Sequence, residues 1–188
     1  KLKSERPLKG KYQDFNYNSS KIASLSYKRN KRINDFLHKT SRYLVDFCVK
    51  HKIGTIVIGR NKEWKESIQL GRITNQNFVY IPFYKLFKML EYKCKMIGIK
   101  LVQQEESYTS KCDALSFEEV KCHDTYKGSR IKRGLFLSSI GKVLNADING
   151  ALNILRKYLI KNAINEFSVI QKIIDRGLLY RPYRISFY

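Results

Sequence analysis

A short β-branched run at residues 55–58, Thr-Ile-Val-Ile, constrains the fold more than any other feature of this sequence. It has no polar alternation, which is typical of a strand buried on both faces of a parallel sheet. An apolar helical pattern follows at residues 82–98, and residues 99–104 have the character of a second strand. A strand, a helix and a further strand make a βαβ unit with parallel strands and a right-handed crossover. We therefore predict an α/β fold.

Helical patterns also flank this unit. Residues 20–32 predict a basic helix, and residues 33–48 predict a second helix with one apolar face. Asp147 begins a further helix, which follows a short hairpin predicted at residues 134–144. Residues 111–134 are polar and charged and lack apolar periodicity, so we predict that they form an inserted surface module.

The chain carries a large excess of positive charge. Lys and Arg number 37 against 16 Asp and Glu, which gives +21 at pH 7. Such a surface repels itself unless an anionic partner neutralises it, so nucleic acid is the first candidate partner and an anionic membrane the second. The sequence contains no apolar stretch long enough to span a bilayer, and we expect no membrane association. The four cysteines form no CxxC pair and no disulfide pattern, so we expect reduced thiols and a cytoplasmic location.

The basic residues occur in clusters, some of which lie beside aromatic residues. Lysine and arginine side chains bind phosphates without reading the base sequence, and aromatic side chains stack on unpaired bases. We predict nucleic-acid contacts at eight positions: Arg29, Arg32, Arg60, Trp64, Lys127, Arg130, Lys132 and Arg133. Each cluster taken singly is more simply a solvated face. The net charge of +21 favours phosphate binding by at least one of them.

Carboxylates stand at two predicted structural boundaries. Glu105 and Glu106 follow the second strand, and the carboxyl ends of parallel strands form the ligand crevice of an open sheet. Asp147 stands at a helix entrance, where free N–H groups favour negative charge. Carboxylates brought together can hold Mg²⁺, and two such ions about 3.5–4 Å apart stabilise attack and departure at a phosphodiester. An acid at a helix start is usually only a cap, however, and a Glu-Glu pair after a strand is usually solvated, so these residues alone favour a structural role.

Three strings shift that balance by their order and spacing: ESYTS at 106–110, RIKRGLF at 130–136 and NADINGALNI at 145–154. Together they resemble the TnpB (OrfB) family of insertion-sequence-encoded, RNA-guided DNA nucleases, which is related to the type V CRISPR effectors. Upstream strings agree, and the resemblance covers about residues 20–158. It implies a RuvC-like nuclease domain of the RNase H fold, with a mixed sheet and flanking helices. It also implies Mg²⁺ held by three acidic motifs, DNA and a guide RNA as partners, and a transposase-associated DNA endonuclease activity.

The resemblance assigns the acidic motifs residue by residue. Asp147 matches the third motif. Many members place the Glu of the second motif directly after the IVI strand, where this chain has Gly59, but a subset that resembles this chain uses the acid before YTS. That implies Glu106, with Glu105 as the fallback, because adjacent side chains of a strand face opposite ways. The catalytic and Mg²⁺-binding residues implied are therefore Glu106 and Asp147. The first motif, a GIDLG-like string, is missing, and Asp14 in YQDFNYN has no strand core before it.

The missing motif shapes the functional expectation. The fold is expected to be incomplete, and the chain is expected to be the C-terminal part of a longer protein or the product of a decayed gene. We expect weak or no cleavage from this chain alone, because losing one member of a catalytic unit costs orders of magnitude in rate. The alternative is a non-catalytic basic module that binds DNA or RNA, and a ribosome-associated basic domain is a third interpretation.

Many members of the family also carry a four-Cys zinc module between the second and third acidic motifs. Here the interval holds only Cys112, Cys122 and His123. Structural zinc requires four ligands in a tetrahedral arrangement, so we expect no zinc site. We predict three parts of the chain: the first part of the nuclease core at 1–106, an inserted nucleic-acid-binding module at 107–135 in the zinc-ribbon position, and the last strand and helix of the core with a basic tail at 136–188.

Overall fold

The computed structural model of the protein describes residues 20–60, 82–177 and 185–187. The predicted positions Asp14 and Trp64 lie outside these ranges. The helices are α1 (Ser20–Lys50), α2 (Phe83–Ile97), α3 (Ala146–Lys161) and α4 (Glu166–Asp175). The strands are β1 (Thr55–Arg60), β2 (Lys100–Glu105), β3 (Ser129–Lys132), β4 (Leu135–Leu137) and β5 (Val143–Asn145).

The predicted βαβ unit is confirmed. Strands β1 and β2 pair in parallel, with Thr55 opposite Lys100 and Arg60 opposite Glu105, and α2 connects them. Helix α2 ends at Gly98, whose φ of 80° lies in the left-handed region that glycine adopts without strain. The apolar face of α2 packs with α1 and β2 in a core of five buried residues: Val45, Cys48, Leu90, Cys94 and Ile99.

Helix α1 departs from the prediction of two helices, because it is one continuous helix of 31 residues. Neither Gly nor Pro stands near the predicted break at Arg32, so nothing in the sequence ends the helix there. The buried stripe also lies to one side of the apolar face that the sequence predicts, which comprises Ile33, Phe36, Leu37, Leu44, Phe47 and Cys48. The members of the buried stripe are Ile22, Leu37, Ser41, Val45 and Cys48. By contrast, Phe36 and Phe47 remain 54% and 43% exposed.

The strands do not form the single mixed sheet that we predicted. In the described ranges they form two sheets, the parallel pair β1–β2 and an antiparallel sheet in the order β3–β4–β5. The predicted hairpin corresponds to β4 and β5, which pair from Leu135↔Asn145 to Leu137↔Val143. The α/β class therefore holds, with the parallel and antiparallel strands separated.

Residues 111–134 are less superficial than predicted. Cys112, Asp113 and Ala114 are fully buried, and Ala114 belongs to the second core together with Phe136, Leu144, Ala146, Leu152 and Ile170. Strand β3 pairs with β4, so strand pairing and packing cross the predicted boundary at residue 135. The division of the chain into three parts stays a prediction. No helix that the structure describes combines the length and apolar character needed to cross a membrane.

Candidate metal centre and nucleic-acid interface

Glu106 lies at the edge of the parallel sheet where both strands end. It directly follows β2, and its half-buried side chain turns back over Gly59 near the end of β1. A Cβ atom placed on Gly59 would lie 2.2 Å from Glu106 Oε2 and 2.8 Å from Ile154 Cδ1. The Glu106 carboxyl group therefore occupies the space that a side chain at position 59 would need.

Glu105 has different partners from its neighbour. The Lys157 ammonium lies 2.6 Å from Glu105 Oε2 and also donates to the Ser107 carbonyl at 2.9 Å. The Ser107 N–H donates to the same carboxylate. Burial raises the pKa of Glu105, but the hydrogen bonds from Lys157 and Ser107 and the charge of Lys157 outweigh it and lower the pKa to about 2. Glu105 is therefore held as an ion-pair partner of α3.

Glu106 has the opposite electrostatic setting. Burial raises its pKa above the usual value, and the negative charge of Glu105 raises it further. A half-buried carboxylate whose charge is disfavoured gains from a nearby cation, because the cation offsets the cost of desolvation. Of the two adjacent acids, Glu106 is therefore the better fit to a metal ion.

Asp147 lies in the first turn of α3 but does not cap it. The cap is Asn145, whose side-chain oxygen accepts hydrogen bonds from the N–H groups of Asp147 at 2.8 Å and Ile148 at 3.2 Å. The interpretation of Asp147 as a helix cap is therefore wrong. Its side chain is exposed at the positive end of the helix dipole, where a carboxylate is favoured.

Helix α3 connects the surroundings of the two acids. It packs against both β1 and β2, and Ile154 on this helix approaches the space beside Gly59 and Glu106. Ile154 follows Asp147 by seven residues, nearly two full turns, so both lie on one face of α3 at a separation of about 10 Å along the axis. Helix α3 therefore carries Asp147 on the face that reaches Glu106, about two turns before the point of approach at Ile154.

The two acids are not part of a complete metal cage within the described parts of the chain. No group of three or more His, Cys, Asp or Glu side chains is arranged there to hold a metal ion. Two oxygen-bearing side chains suit a hydrated Mg²⁺ chemically but provide little of the charge that two ions beside a phosphate require. Within the described residues, the two acids are therefore at most a partial ligand set.

A cavity of about 720 Å³ opens at the same edge of the sheet. Gly59, Arg60, Gln103 and Glu106 line it from the strand ends, and the first turns of α2 complete it. Arg60 Nη1 donates a hydrogen bond of 2.9 Å to Gln103 Oε1. Arg60 is thus the predicted nucleic-acid contact that the structure places beside Glu106.

The other described basic positions lie elsewhere on the surface. Arg29 and Arg32 are exposed on α1. The remaining four lie on β3 or beside it, and all are exposed: Lys127, Arg130, Lys132 and Arg133. The half-buried ring of Tyr126 lies beside this group and faces the Lys111 ammonium at 5.7 Å from the ring centroid. The structure thus separates the predicted contacts into the end of β1, α1 and the antiparallel sheet.

The sequence interpretation missed a set of buried polar residues on α3. Asn149 and Asn153 are fully buried, and Arg156 is 1% exposed. Their spacing of four and three residues places them on one helical face among apolar positions. Buried polar side chains of this kind need hydrogen-bond partners, so the pattern was a readable signal for a buried network.

Comparisons with known proteins agree with the resemblance. Residues 83–154 match the family model described as Cas12f1-like, TNB domain. Over 119 residues the chain is 32% identical to the CRISPR-associated endodeoxyribonuclease Cas12f1 of Sulfoacidibacillus thermotolerans, covering 62% of this chain and 25% of that protein. Over 76 residues it is 37% identical to the TnpB-like protein ORF457 of Acidianus two-tailed virus, covering 40% of this chain and 15% of that protein. The chain thus spans a quarter or less of these relatives.

Two solved structures share the fold. The chain aligns with a Cas12f1–sgRNA–target DNA complex at a TM-score of 0.52 and 20% identity, over 71% of this chain and 36% of that one. It aligns with a CRISPR-Cas12f ternary complex at a TM-score of 0.50 and 20% identity, over 81% of this chain and 29% of that one. The α/β fold is therefore one found in these nucleases. The sequence and family matches together confirm the resemblance to the TnpB/Cas12f-like family.

Proposed function

We propose that the chain contributes two metal-binding carboxylates, Glu106 and Asp147, to an RNA-guided DNA endonuclease with an RNase H-like (RuvC-type) fold. The observation that carries this proposal is the position of the Glu106 carboxyl group over Gly59, at the edge where two parallel strands end. Helix α3, which begins beside Asp147, packs on the same strands. We infer that Asp147 extends the crevice that Glu106 lines, which is of the kind in which open α/β sheets bind ligands.

In this proposal each residue has a definite task. Bound Mg²⁺ would activate a water molecule and neutralise the phosphodiester that the water attacks. Glu106 holds negative charge in a half-buried position, and Asp147 holds it at a helix N-terminus. Arg60 is placed to contact a phosphate of the strand beside Glu106. Glu105 stays paired with Lys157 and does not bind the metal ion.

The proposal includes a limit on activity. Two carboxylates are a partial set, and the third acid has to come from outside the described residues. Loss of one member of a catalytic unit costs about as much as loss of several, so weak or no cleavage is expected of this chain alone. One of the two similar structures is a complex of Cas12f1 with an sgRNA and target DNA, and the other is a CRISPR-Cas12f ternary complex. We extend DNA and guide RNA to this chain as proposed partners.

A cleavage assay combined with a metal titration tests the proposal. The purified chain is incubated with single-stranded DNA and Mg²⁺, and Mn²⁺ binding is followed by paramagnetic broadening of backbone NMR signals. Glu106→Gln and Asp147→Asn should each abolish residual cleavage and remove the broadening near both residues. Asp35→Asn is the control, because Asp35 is an exposed acid that pairs with Lys39 on α1. Cleavage or Mn²⁺ binding that survives both site variants contradicts the assignment.

A non-catalytic module that binds DNA or RNA is the second candidate. Exposed Lys and Arg on α1 and around β3, together with the net charge of +21, favour it. Both candidates predict binding that weakens steeply with salt, because counterions are released from the phosphates. They differ in metal dependence: the nuclease requires Mg²⁺ for cleavage, whereas the module binds equally well in EDTA and never cuts.

A further inference from the structure

We propose that a buried hydrogen-bond network centred on Asp113 replaces, without a metal ion, the zinc module that many members of the family carry between the second and third acidic motifs. We further infer that this network positions Glu106 relative to α3. The positioning half of this proposal rests on the proposed function, whereas the metal-free half, the replacement of the zinc module, does not.

The Asp113 carboxylate is the centre of the network. Its side chain is fully buried. Oδ2 accepts hydrogen bonds from Ser138 Oγ at 2.8 Å, Ser139 N at 2.7 Å and Ser139 Oγ at 2.8 Å. Oδ1 accepts from the N–H groups of Leu115 at 3.1 Å and Ser116 at 3.4 Å. A buried carboxylate with this many donors orders two separate segments, its own turn and the β4–β5 turn, as a bound cation would.

Glu118 and Arg156 extend the network in both directions. The Glu118 carboxylate accepts from the N–H groups of Asp113 at 2.7 Å and Lys127 at 2.9 Å. Arg156 Nη1 donates to the Glu118 carbonyl at 2.8 Å, and its Nε donates to Glu166 Oε2 at 2.7 Å. The network therefore joins residues 113–127 to α3 and α4, and each buried charge in it has hydrogen-bond partners.

Two asparagines of α3 connect the network to the main chain that follows Glu106. Asn149 accepts from the N–H of Ala114 at 3.0 Å and donates to the Cys112 carbonyl at 2.8 Å. Asn153 donates to the carbonyls of Thr109 at 2.9 Å and Cys112 at 2.7 Å. Thr109 follows Glu106 by three residues, and Asn149 follows Asp147 by two. These hydrogen bonds therefore fix the chain after one proposed metal ligand onto the helix that carries the other.

The three residues that remain at the zinc position do not fit that metal. The Cys112 thiol is buried and donates to the Lys121 carbonyl at 3.5 Å, whereas Cys122 is exposed. A ring nitrogen of His123 lies 2.7 Å from the Glu119 carbonyl. Structural zinc needs four ligands at about 2.0–2.3 Å in a tetrahedron, and these side chains are directed to other partners.

A chelation experiment tests the metal-free half. Zinc content of the purified chain is measured by elemental analysis, and thermal unfolding is recorded with and without 1,10-phenanthroline. We expect far less than one zinc per chain and no change in Tm with the chelator. Asp113→Asn should lower Tm by roughly 10 °C, because it leaves buried donors facing an amide. Stoichiometric zinc with a Tm that falls on chelation, or an unchanged Tm for Asp113→Asn, overturns this half.

An isosteric substitution tests the positioning half. Asn153→Asp keeps the shape of the side chain but puts carboxylate oxygens against the Thr109 and Cys112 carbonyls. At a temperature where the variant is folded, we expect its Mn²⁺ affinity to fall at least about tenfold and the paramagnetic broadening at Glu106 to weaken. The matched control is Asn162→Asp, because Asn162 is exposed at the end of α3 and bonds only locally to the Tyr158 carbonyl in the contacts described. If Asn153→Asp does not fold, the milder Ser138→Ala, which removes one donor from Asp113, takes its place.

The outcomes separate the two proposals. A folded Asn153→Asp or Ser138→Ala chain with unchanged Mn²⁺ affinity and unchanged broadening at Glu106 overturns the positioning role. A wild-type chain that binds no Mn²⁺ near Glu106 overturns the proposed function and the positioning role with it. In that case the zinc content and the Tm of Asp113→Asn still decide whether the network replaces the zinc module.

Discussion

Substitution of Gly59 by Ala is a direct perturbation of the Glu106 position. The new Cβ would lie 2.2 Å from Glu106 Oε2, so the carboxyl group has to retreat by about 1.2 Å to reach the 3.4 Å of ordinary contact. The atoms that must yield are the ends of the Glu106 and Ile154 side chains rather than backbone. The free energy of unfolding should therefore fall by about 1 kcal/mol, the low end for overpacking, which lowers Tm by about 2–4 °C.

The functional effect of this substitution should be larger than its effect on stability. A displacement of about 1 Å at a reacting centre costs on the order of 100-fold in rate. We therefore expect a large loss of Mn²⁺ affinity near Glu106 and of any Mg²⁺-dependent cleavage, although Tm changes only slightly. The assay is Mn²⁺ titration by NMR together with thermal unfolding. Gly54→Ala is the control, because nothing lies within 4 Å of a Cβ at that position. Equal Mn²⁺ affinity in the Gly59→Ala chain and the wild type refutes the location of Glu106.

Four further predictions follow from the charges and hydrogen bonds described. Glu106→Gln should raise the free energy of unfolding at pH 7, measured in urea, because burial raises the pKa of Glu106 and stability falls as pH rises from the ordinary carboxyl value through that raised pKa; a destabilised variant contradicts this. Lys157→Met should raise the pKa of Glu105 from about 2 toward 4.5, measured by carboxyl NMR, and an unmoved pKa contradicts the ion pair. Hydrogen bonds lower the pKa of Asp113 despite burial, so its stabilisation is complete above pH 4 and lost as pH falls through that lowered pKa. The difference in the free energy of unfolding between the wild type and Asp113→Asn, measured in urea, should therefore shrink below pH 4. A difference that stays constant with pH contradicts the lowered pKa of Asp113. Arg130→Gln should reduce, by about 1, the slope of the logarithm of the DNA-binding constant against the logarithm of the salt concentration. An unchanged slope excludes a phosphate contact by Arg130.

The parts of the fold that the sequence predicted depend on local signals. The β-branched run of β1 and the glycine that ends α2 need no distant partner to be recognised. The apolar pattern of α4 at Phe167, Ile170 and Ile174 was also readable, and the sequence interpretation overlooked it. Periodicity and turn residues thus identify elements wherever local sequence and final structure agree.

The remaining features depend on contacts between distant residues. The turn at Cys112 and Asp113 looks polar and exposed in the sequence, yet it is buried because Asn149 and Asn153, far along the chain, satisfy its main-chain groups. The choice between Glu105 and Glu106 likewise depends on Lys157, which is 52 residues from Glu105. Such long-range hydrogen bonds leave no periodic trace, so the different partners of the two acids are visible only in the three-dimensional structure.

The position of a bound metal ion tests the central claim most directly. Crystals of the chain soaked in Mn²⁺ would be measured at the manganese absorption edge, where anomalous scattering locates the ion without assumptions about its ligands. The account predicts a peak between the carboxyl groups of Glu106 and Asp147, absent in Glu106→Gln crystals. A peak at Glu105 alone, at the cysteines, or nowhere near these two acids would contradict it.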